Sequence, residues 1–264
     1  MRECLIAIVL LTSACSNAET QEPADRPIAA QAKAPAPAPS PRAAAEARLV
    51  EETDDLIEFT YGWSAEAAAV PELADRFEAD MAKQRAEARK TAEEDRAARG
   101  PDIPFNGHYF DETWRTIGNT PRLLSLATAV STYTGGAHGN SFYQALLWDK
   151  AARREIPLAR LFADPAAALR LIEPVYCADL DRQRAQKRRE PPLEGDGWMT
   201  DCPTIGEQVV APVDEDSDGR FEKLWVMLAP YAAGPYVEGS YEVDVPVTAE
   251  LKRLLKPDYR DSFN

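Results

Sequence analysis

Two alternating apolar runs, separated by a glycine-rich segment, constrain the fold most strongly. The runs cover residues 123–133 and 141–149, and the segment between them reads Thr-Gly-Gly-Ala-His-Gly-Asn over residues 134–140. Alternating polarity is typical of strands, and a short glycine-rich connection lets the chain reverse its direction. The sequence therefore predicts two neighbouring antiparallel strands joined by this loop.

Further strand and helix patterns follow one another irregularly. In chain order these elements are a strand at 55–63, a helix from Pro71, a helix from Asp164, strands at 208–213, 221–228 and 240–247, and a short helix near 248–255. Proline in a first turn and aspartate as a cap mark the two longer helices. Because no strand-helix-strand unit repeats, the sequence predicts an α+β domain, in which a mainly antiparallel sheet packs with two or three helices.

Apolar spacing predicts which face of each long helix is buried. In the first helix these residues are Val70, Leu73, Phe77 and Met81, and in the second Leu169, Ile172, Tyr176 and Leu180. Residues 83–99 carry no apolar stripe, so we expect this stretch to project into solvent.

The N-terminus has the order of an export signal. A charged start is followed by the apolar residues 5–11 and then by the small residues that precede Cys15. This arrangement resembles the lipobox of bacterial lipoproteins, so residues 1–14 are predicted to be a signal peptide and Cys15 to be lipidated. The alternative is ordinary cleavage after Ala18, which would give a soluble product.

Residues 15–47 are predicted to be an acylated cysteine and an Ala/Pro-rich linker, which alternating prolines keep extended. No apolar stretch reaches the length of a membrane-spanning helix, so only the lipid would hold the protein at a membrane. Ser16 follows Cys15 without an aspartate. We therefore expect a periplasmic, membrane-anchored lipoprotein, at the outer membrane rather than the inner one.

The net charge limits the classes of partner that the protein is expected to bind. The chain has 30 basic and 44 acidic residues, a formal net charge of −14. This balance argues against nucleic acid and against adhesion to anionic lipid, and electrostatic steering would favour a cationic partner. The alternative is that the charge serves solubility alone.

Two cysteines remain beyond the signal and the lipid site, Cys177 and Cys202. In an oxidising compartment they are predicted to form a disulfide, which would close a loop of about 25 residues and stabilise the fold by about 3 kcal/mol. The alternative is a metal site, although the pair lacks CxxC spacing and a neighbouring histidine.

Two signatures together resemble a known envelope module. Tyr-Thr-Gly-Gly-Ala-His-Gly-Asn at 133–140 precedes Leu-Ala-Pro-Tyr-Ala-Ala-Gly at 228–234, the order found in PdaC-like, RsiV-type extracytoplasmic proteins. The resemblance implies a PdaC-like portion over 48–150 and a C-terminal RsiV-type portion over 151–264, packed as one compact unit. Such modules accompany a peptidoglycan deacetylase domain or form the extracellular half of a lysozyme-sensing anti-sigma factor. Neither attached part is recognised here, so the resemblance implies a stand-alone binding module.

The predicted binding residues come from these signatures. They are Tyr133, Gly135, Gly136, His138, Gly139 and Asn140 in the first, and Pro230, Tyr231 and Gly234 in the second. The three glycines of the first would allow positive φ and a tight loop that displays His138 toward a glycan or a carboxylate. The alternative is that they only permit the turn, and that His138 bonds a backbone carbonyl.

An acidic segment resembles the start of a calcium loop. Asp214, Asp216 and Asp218 occupy positions one, three and five and Gly219 position six, but Trp225 takes the place of the final glutamate. Calcium is therefore one interpretation and an acidic hairpin turn the other. No other cofactor is predicted.

Catalysis has little support in the sequence. Only His108 and His138 are present, and neither a Gly-x-Ser-x-Gly nor a His-Glu-x-x-His pattern occurs. We predict a lipid-anchored binding module that recognises peptidoglycan or a wall-acting protein such as a cationic muramidase, without catalytic residues. One alternative is a small glycan hydrolase that uses His138 and a carboxylate; another is a structural lipoprotein.

Overall fold

The computed structural model describes residues 45–100, 102–189 and 197–264. The predicted signal peptide, the lipid site at Cys15 and most of the linker lie outside the described residues. Within the described ranges, no helix combines the length and the apolar character needed to cross a membrane.

A six-stranded sheet lies in the first half of the described chain, with its strands in chain order. They are β1 (Arg48–Thr53), β2 (Ile57–Trp63), β3 (His108–Asn119), β4 (Leu123–Tyr133), β5 (Asn140–Asp149) and β6 (Arg154–Glu155). Neighbours pair antiparallel except β2 and β3, which run parallel. The predicted hairpin of β4 and β5 is confirmed.

A three-stranded antiparallel sheet follows, with β7 (Val209–Val213), β8 (Lys223–Leu228) and β9 (Tyr241–Pro246). The described α-helices are α1 (Ala65–Ala68), α2 (Pro71–Ala98), α3 (Pro165–Arg188) and α4 (Ala249–Leu254). The predicted α+β class with a mainly antiparallel sheet is confirmed.

Helix α2 covers one face of the large sheet. Alternate residues of β2 point toward it, namely Ile57, Phe59, Tyr61 and Trp63, and they pack with Leu73, Phe77 and Met81 in one buried cluster. Period two in the strand and period 3.6 in the helix bring the two apolar faces together. The predicted apolar face of α2 is confirmed at these three helix residues.

The second half of α2 does not project into solvent, and that prediction was wrong. Ala92 is fully buried. Arg85 donates to Glu52 at 2.6 Å and Arg89 donates to Asp54 at 2.7 Å, so charged side chains join the helix to the end of β1 and the turn after it. Ion pairs take the place of an apolar stripe, which is why apolar spacing missed this packing.

Helix α3 packs on the small sheet through Ile172, Tyr176 and Leu180, as predicted. Leu169 was predicted to be buried, but it is 41% exposed, while Ala168 is buried. The buried positions of α3 recur every four residues from Ala168. Leu169 is apolar but lies one position off this row, so its apolar character led to the wrong assignment.

The predicted disulfide between Cys177 and Cys202 is confirmed, with a Cα–Cα distance of 5.5 Å. It ties α3 to the segment before the small sheet. Replacing both cysteines with alanine should lower the free energy of unfolding by about 3 kcal/mol, because the unfolded chain gains the freedom of the open loop. Urea unfolding measures the change.

A reducing agent should have the same effect on the native chain and none on the double alanine variant. Equal stability of the native chain and this variant would contradict a stabilising role for the bridge.

Candidate functional site

The loop between β4 and β5 is shaped by its glycines in two different ways. Gly135 and Gly136 have φ of 94° and 98°, where glycine is favoured. Gly139 is not in this region, so positive φ at this position was wrongly predicted. A Cβ at Gly139 would instead lie 2.1 Å from the hydroxyl oxygen of Tyr109. The absence of a side chain at Gly139 therefore makes room for the Tyr109 side chain of β3.

His138 lies exposed at the tip of this loop and contacts the C-terminal half of the chain. Its ring stacks on Tyr236 with the ring centres 3.8 Å apart and the planes inclined by 18°. His138 Nδ1 donates to the carbonyl of Gly139 at 2.7 Å, and the Tyr236 hydroxyl donates to the same carbonyl at 2.9 Å. His138 is thus displayed as predicted, and it also makes the backbone hydrogen bond of the alternative.

The second signature reaches the same place. Tyr231 is 54% exposed and has φ of 72°, which is uncommon for a residue other than glycine. Its ring centre lies 5.5 Å from that of Tyr236. We call Tyr231, Tyr236 and His138 the aromatic junction. Both predicted signatures therefore meet on one surface.

Two arginines of α3 hold the second signature in position. Arg184 is buried; its Nε donates to the carbonyl of Ala233 at 2.9 Å, and its two Nη atoms donate to the carbonyls of Thr200 and Asp201 at 3.0 Å each. One turn further along, Arg188 donates to Glu238 at 2.7 Å. The planar guanidinium suits such multiple hydrogen bonds.

Gly234 gives this ion pair its room. A Cβ at Gly234 would lie 2.0 Å from a carboxylate oxygen of Glu238. Burial opposes the ionisation of Glu238, but hydrogen bonds from Arg188 and Tyr241 outweigh it and hold the pKa of Glu238 below its ordinary value. Burial, followed by the neighbouring Glu238, raises the pKa of Tyr241 to about 12. The ion pair of Arg188 and Glu238 thus connects the segment beside the aromatic junction to α3.

Comparison with known proteins gives a family match to the first half of the folded chain and fold matches to most of the chain. Residues 50–141 match the family model described as deacetylase PdaC. A DUF3298 family protein from Pseudomonas aeruginosa PAO1 has a similar fold, with a TM-score of 0.51, 15% identity, and coverage of 81% of this chain and 93% of that chain. The predicted PdaC-like resemblance is confirmed over these residues. At this identity the second match shows the fold alone.

A DUF3298 family member from Bacteroides fragilis was also found, with a TM-score of 0.47, 16% identity, and coverage of 82% of this chain and 95% of that chain. No curated protein matches the sequence. The PdaC-like segment ends at residue 141, just after the glycine-histidine loop, so the junction joins its last residues to the part that follows it.

The acidic loop gathers four carboxylates outside the PdaC-like segment. Oxygens of Asp214, Asp216, Asp218 and Glu222 lie within 4.8 Å of one another, and Glu222 takes part where Trp225 cannot. Asp214 also accepts hydrogen bonds from the backbone N–H groups of Asp218 and Gly219 at 3.1 and 3.0 Å, as in an acidic turn. Both interpretations fit this geometry, and calcium binding stays a prediction.

Neither histidine forms an accessible pair with a carboxylate in the part of the chain that the structure describes. His108 lies 3.0 Å from Asp95 but is only 2% exposed. His138 bonds the Gly139 carbonyl instead. The described residues therefore place no carboxylate in a hydrogen bond with His138, which the hydrolase alternative would need.

Several site residues were missed from the sequence. Tyr236, Arg184 and Arg188 were given no role, although Tyr236 lies just beyond the second signature. Arg184 lies four residues after Leu180 on the buried row of α3, whereas the exposed Arg182 lies off this row, so the helix period is a signal that could have placed Arg184 inward. Tyr236 could have been found as an aromatic residue two positions beyond the second signature.

Proposed function

We propose that this protein is a lipid-anchored binding module of the bacterial periplasm, and that its aromatic junction recognises the glycan of peptidoglycan. The observation that carries the proposal is the aromatic row formed where the two signature loops meet, in which Tyr231 and His138 are exposed and Tyr236 is half-buried between them. Tyrosine offers a large rigid contact surface at low entropic cost, together with a polar hydroxyl. Sugar rings have apolar C–H faces and hydroxyl edges, which such a surface matches.

The preorganisation of the row supports binding. Tyr236 is held by its hydrogen bond to Gly139, and the loop that carries Tyr231 is held by Arg184. A site that is already ordered loses less entropy when a ligand binds. The lipid at Cys15 and the extended linker would tether this surface within reach of the cell wall.

Tyr231→Ala should weaken binding to purified peptidoglycan sacculi by about tenfold or more, because an exposed aromatic anchor is lost. Co-sedimentation of the unlipidated chain from Ser16 onward measures this at low and moderate salt. Tyr231→Phe, which keeps the ring, should retain most of the binding. Leu49→Ala removes an apolar side chain that is 55% exposed on β1 and should change nothing.

A native chain that stays in the supernatant with sacculi would contradict the proposal. Salt-sensitive binding to a cationic muramidase in the same assay series would then identify a protein partner, which the net charge of −14 would attract.

A further inference from the structure

The face of the large sheet opposite α2 carries a polar strip that leads away from the aromatic junction. Along β3, alternation places Tyr109, Asp111, Thr113 and Arg115 on this face. Directly opposite on β4 lie Tyr133 beside Tyr109, Ser131 beside Asp111, and Ala127 beside Arg115. The strip is therefore continuous across two strands, with small residues along β4.

The small sheet turns part of this strip into a groove of about 490 Å³. Trp225 and Met227 of β8 and Glu242 of β9 line it opposite the strip. Tyr143 of β5 also lines it, with its ring centre 6.4 Å from that of Trp225. The volume falls in the range of small-molecule sites.

One wall of the groove is held by hydrogen bonds. The Tyr143 hydroxyl lies 2.9 Å from Ser240 Oγ and donates to a carboxylate oxygen of Glu242 at 2.7 Å. Burial raises the pKa of Tyr143 to about 12, so its hydroxyl keeps its proton. This wall is consequently ordered before any ligand arrives.

The strip begins beside the aromatic junction. Tyr109 and Tyr133 stack with their ring centres 6.0 Å apart. Tyr109 packs against Gly139, whose carbonyl accepts the hydrogen bond of Tyr236. From Tyr109 to Arg115 the strand rises by about 20 Å. The strip therefore extends well beyond the length of a single sugar.

We infer that this groove binds the sugars that follow the one at the junction, so that the protein recognises an oligosaccharide along its length. The groove combines aromatic side chains for sugar faces, the hydroxyls of Thr113 and Ser131, and carboxylates that accept hydrogen bonds from sugar hydroxyls. A small residue at Ala129 leaves space above the strands, and this residue is exposed. The inference rests on the proposed function.

Calorimetric titration of the unlipidated chain with a disaccharide and a pentasaccharide of N-acetylglucosamine tests the inference. The native chain should bind the pentasaccharide about tenfold or more tightly than the disaccharide. Ala129→Trp fills the groove and should reduce the pentasaccharide affinity to that of the disaccharide, without changing the latter. Thr53→Trp adds the same bulk to an exposed position on β1, outside the groove, and should behave as the native chain does.

Asp111→Ala is a second variant. It removes only an exposed side chain, so it should fold normally, lower the affinity for the pentasaccharide and leave the affinity for the disaccharide unchanged. Unchanged pentasaccharide affinity in both groove variants would overturn the groove and leave the junction proposal standing. If the native chain binds neither oligosaccharide, the proposed glycan recognition fails, and the groove inference fails with it.

Discussion

Glu112→Gln should raise the free energy of unfolding by about 3 kcal/mol at pH 8 and change it little at pH 4. Glu112 lies on β3, is 1% exposed and faces α2. Trp114, on the same strand, donates a hydrogen bond from its Nε1 to the Glu112 carboxylate at 2.7 Å. Burial, and then the nearby charge of Asp80, raises the pKa of Glu112 from 4.5 to about 7. Each unit of difference between the folded and unfolded pKa is equivalent to about 1.4 kcal/mol.

Proton linkage determines the direction in which stability changes with pH. Because the folded-state pKa lies above the unfolded-state value, the folded protein prefers the protonated carboxyl. The stabilisation by this group is complete below about pH 4.5 and is lost as the pH rises through about 7. Glutamine stays neutral and can still accept the hydrogen bond from Trp114, so the variant avoids the loss.

Urea unfolding at several pH values, followed by tryptophan fluorescence, measures this difference. Glu58→Gln alters an exposed carboxylate on the neighbouring strand β2 and should track the native chain at every pH. A stability difference between Glu112→Gln and the native chain that does not grow with pH would contradict the assignment of the raised pKa to Glu112.

Arg184→Met should lower the free energy of unfolding by about 3–5 kcal/mol. The substitution removes a buried charge that joins three parts of the chain, and it leaves the carbonyls of Ala233, Thr200 and Asp201 without this donor. Because the Ala233 carbonyl belongs to the second signature, sacculus binding should fall as well. Urea unfolding and co-sedimentation measure the two effects.

Two further substitutions sharpen this test. Arg184→Lys keeps the charge, but an ammonium group lacks the planar fork, so the loss of stability should be intermediate. Arg182→Met changes an exposed arginine on the same helix and should alter stability by less than about 0.5 kcal/mol. Equal effects of Arg184→Met and Arg182→Met would contradict the structural role of Arg184.

Patterns that are local in the sequence predicted much of the fold, whereas pairings between distant segments were not predicted. The hairpin of β4 and β5 was found because its strands and loop are contiguous in sequence. Strand β3 was missed because His108 and Glu112 occupy two of its inward positions, which breaks the apolar alternation. Strand β1 was missed because it follows the Ala/Pro-rich linker and is rich in charge.

The same contrast applies to the candidate site. Both signature loops were recognised in the sequence, because each is a short motif. Their contact joins Gly139 to Tyr236, which lie 97 positions apart, and no local pattern encodes such a pairing. The parallel pairing of β2 with β3 was likewise not predicted, because it depends on how α2 returns the chain.

That parallel pairing has a consequence for the order of assembly. The hairpins of β1 with β2 and of β3 with β4 and β5 close over short stretches of chain, whereas the seam between β2 and β3 must first span the whole of α2. Non-local pairing closes slowly, because the entropy of the intervening chain is lost before contacts form. Glu112 lies on β3 at this seam and is buried toward α2, so closing the seam and burying this carboxyl belong to one non-local event.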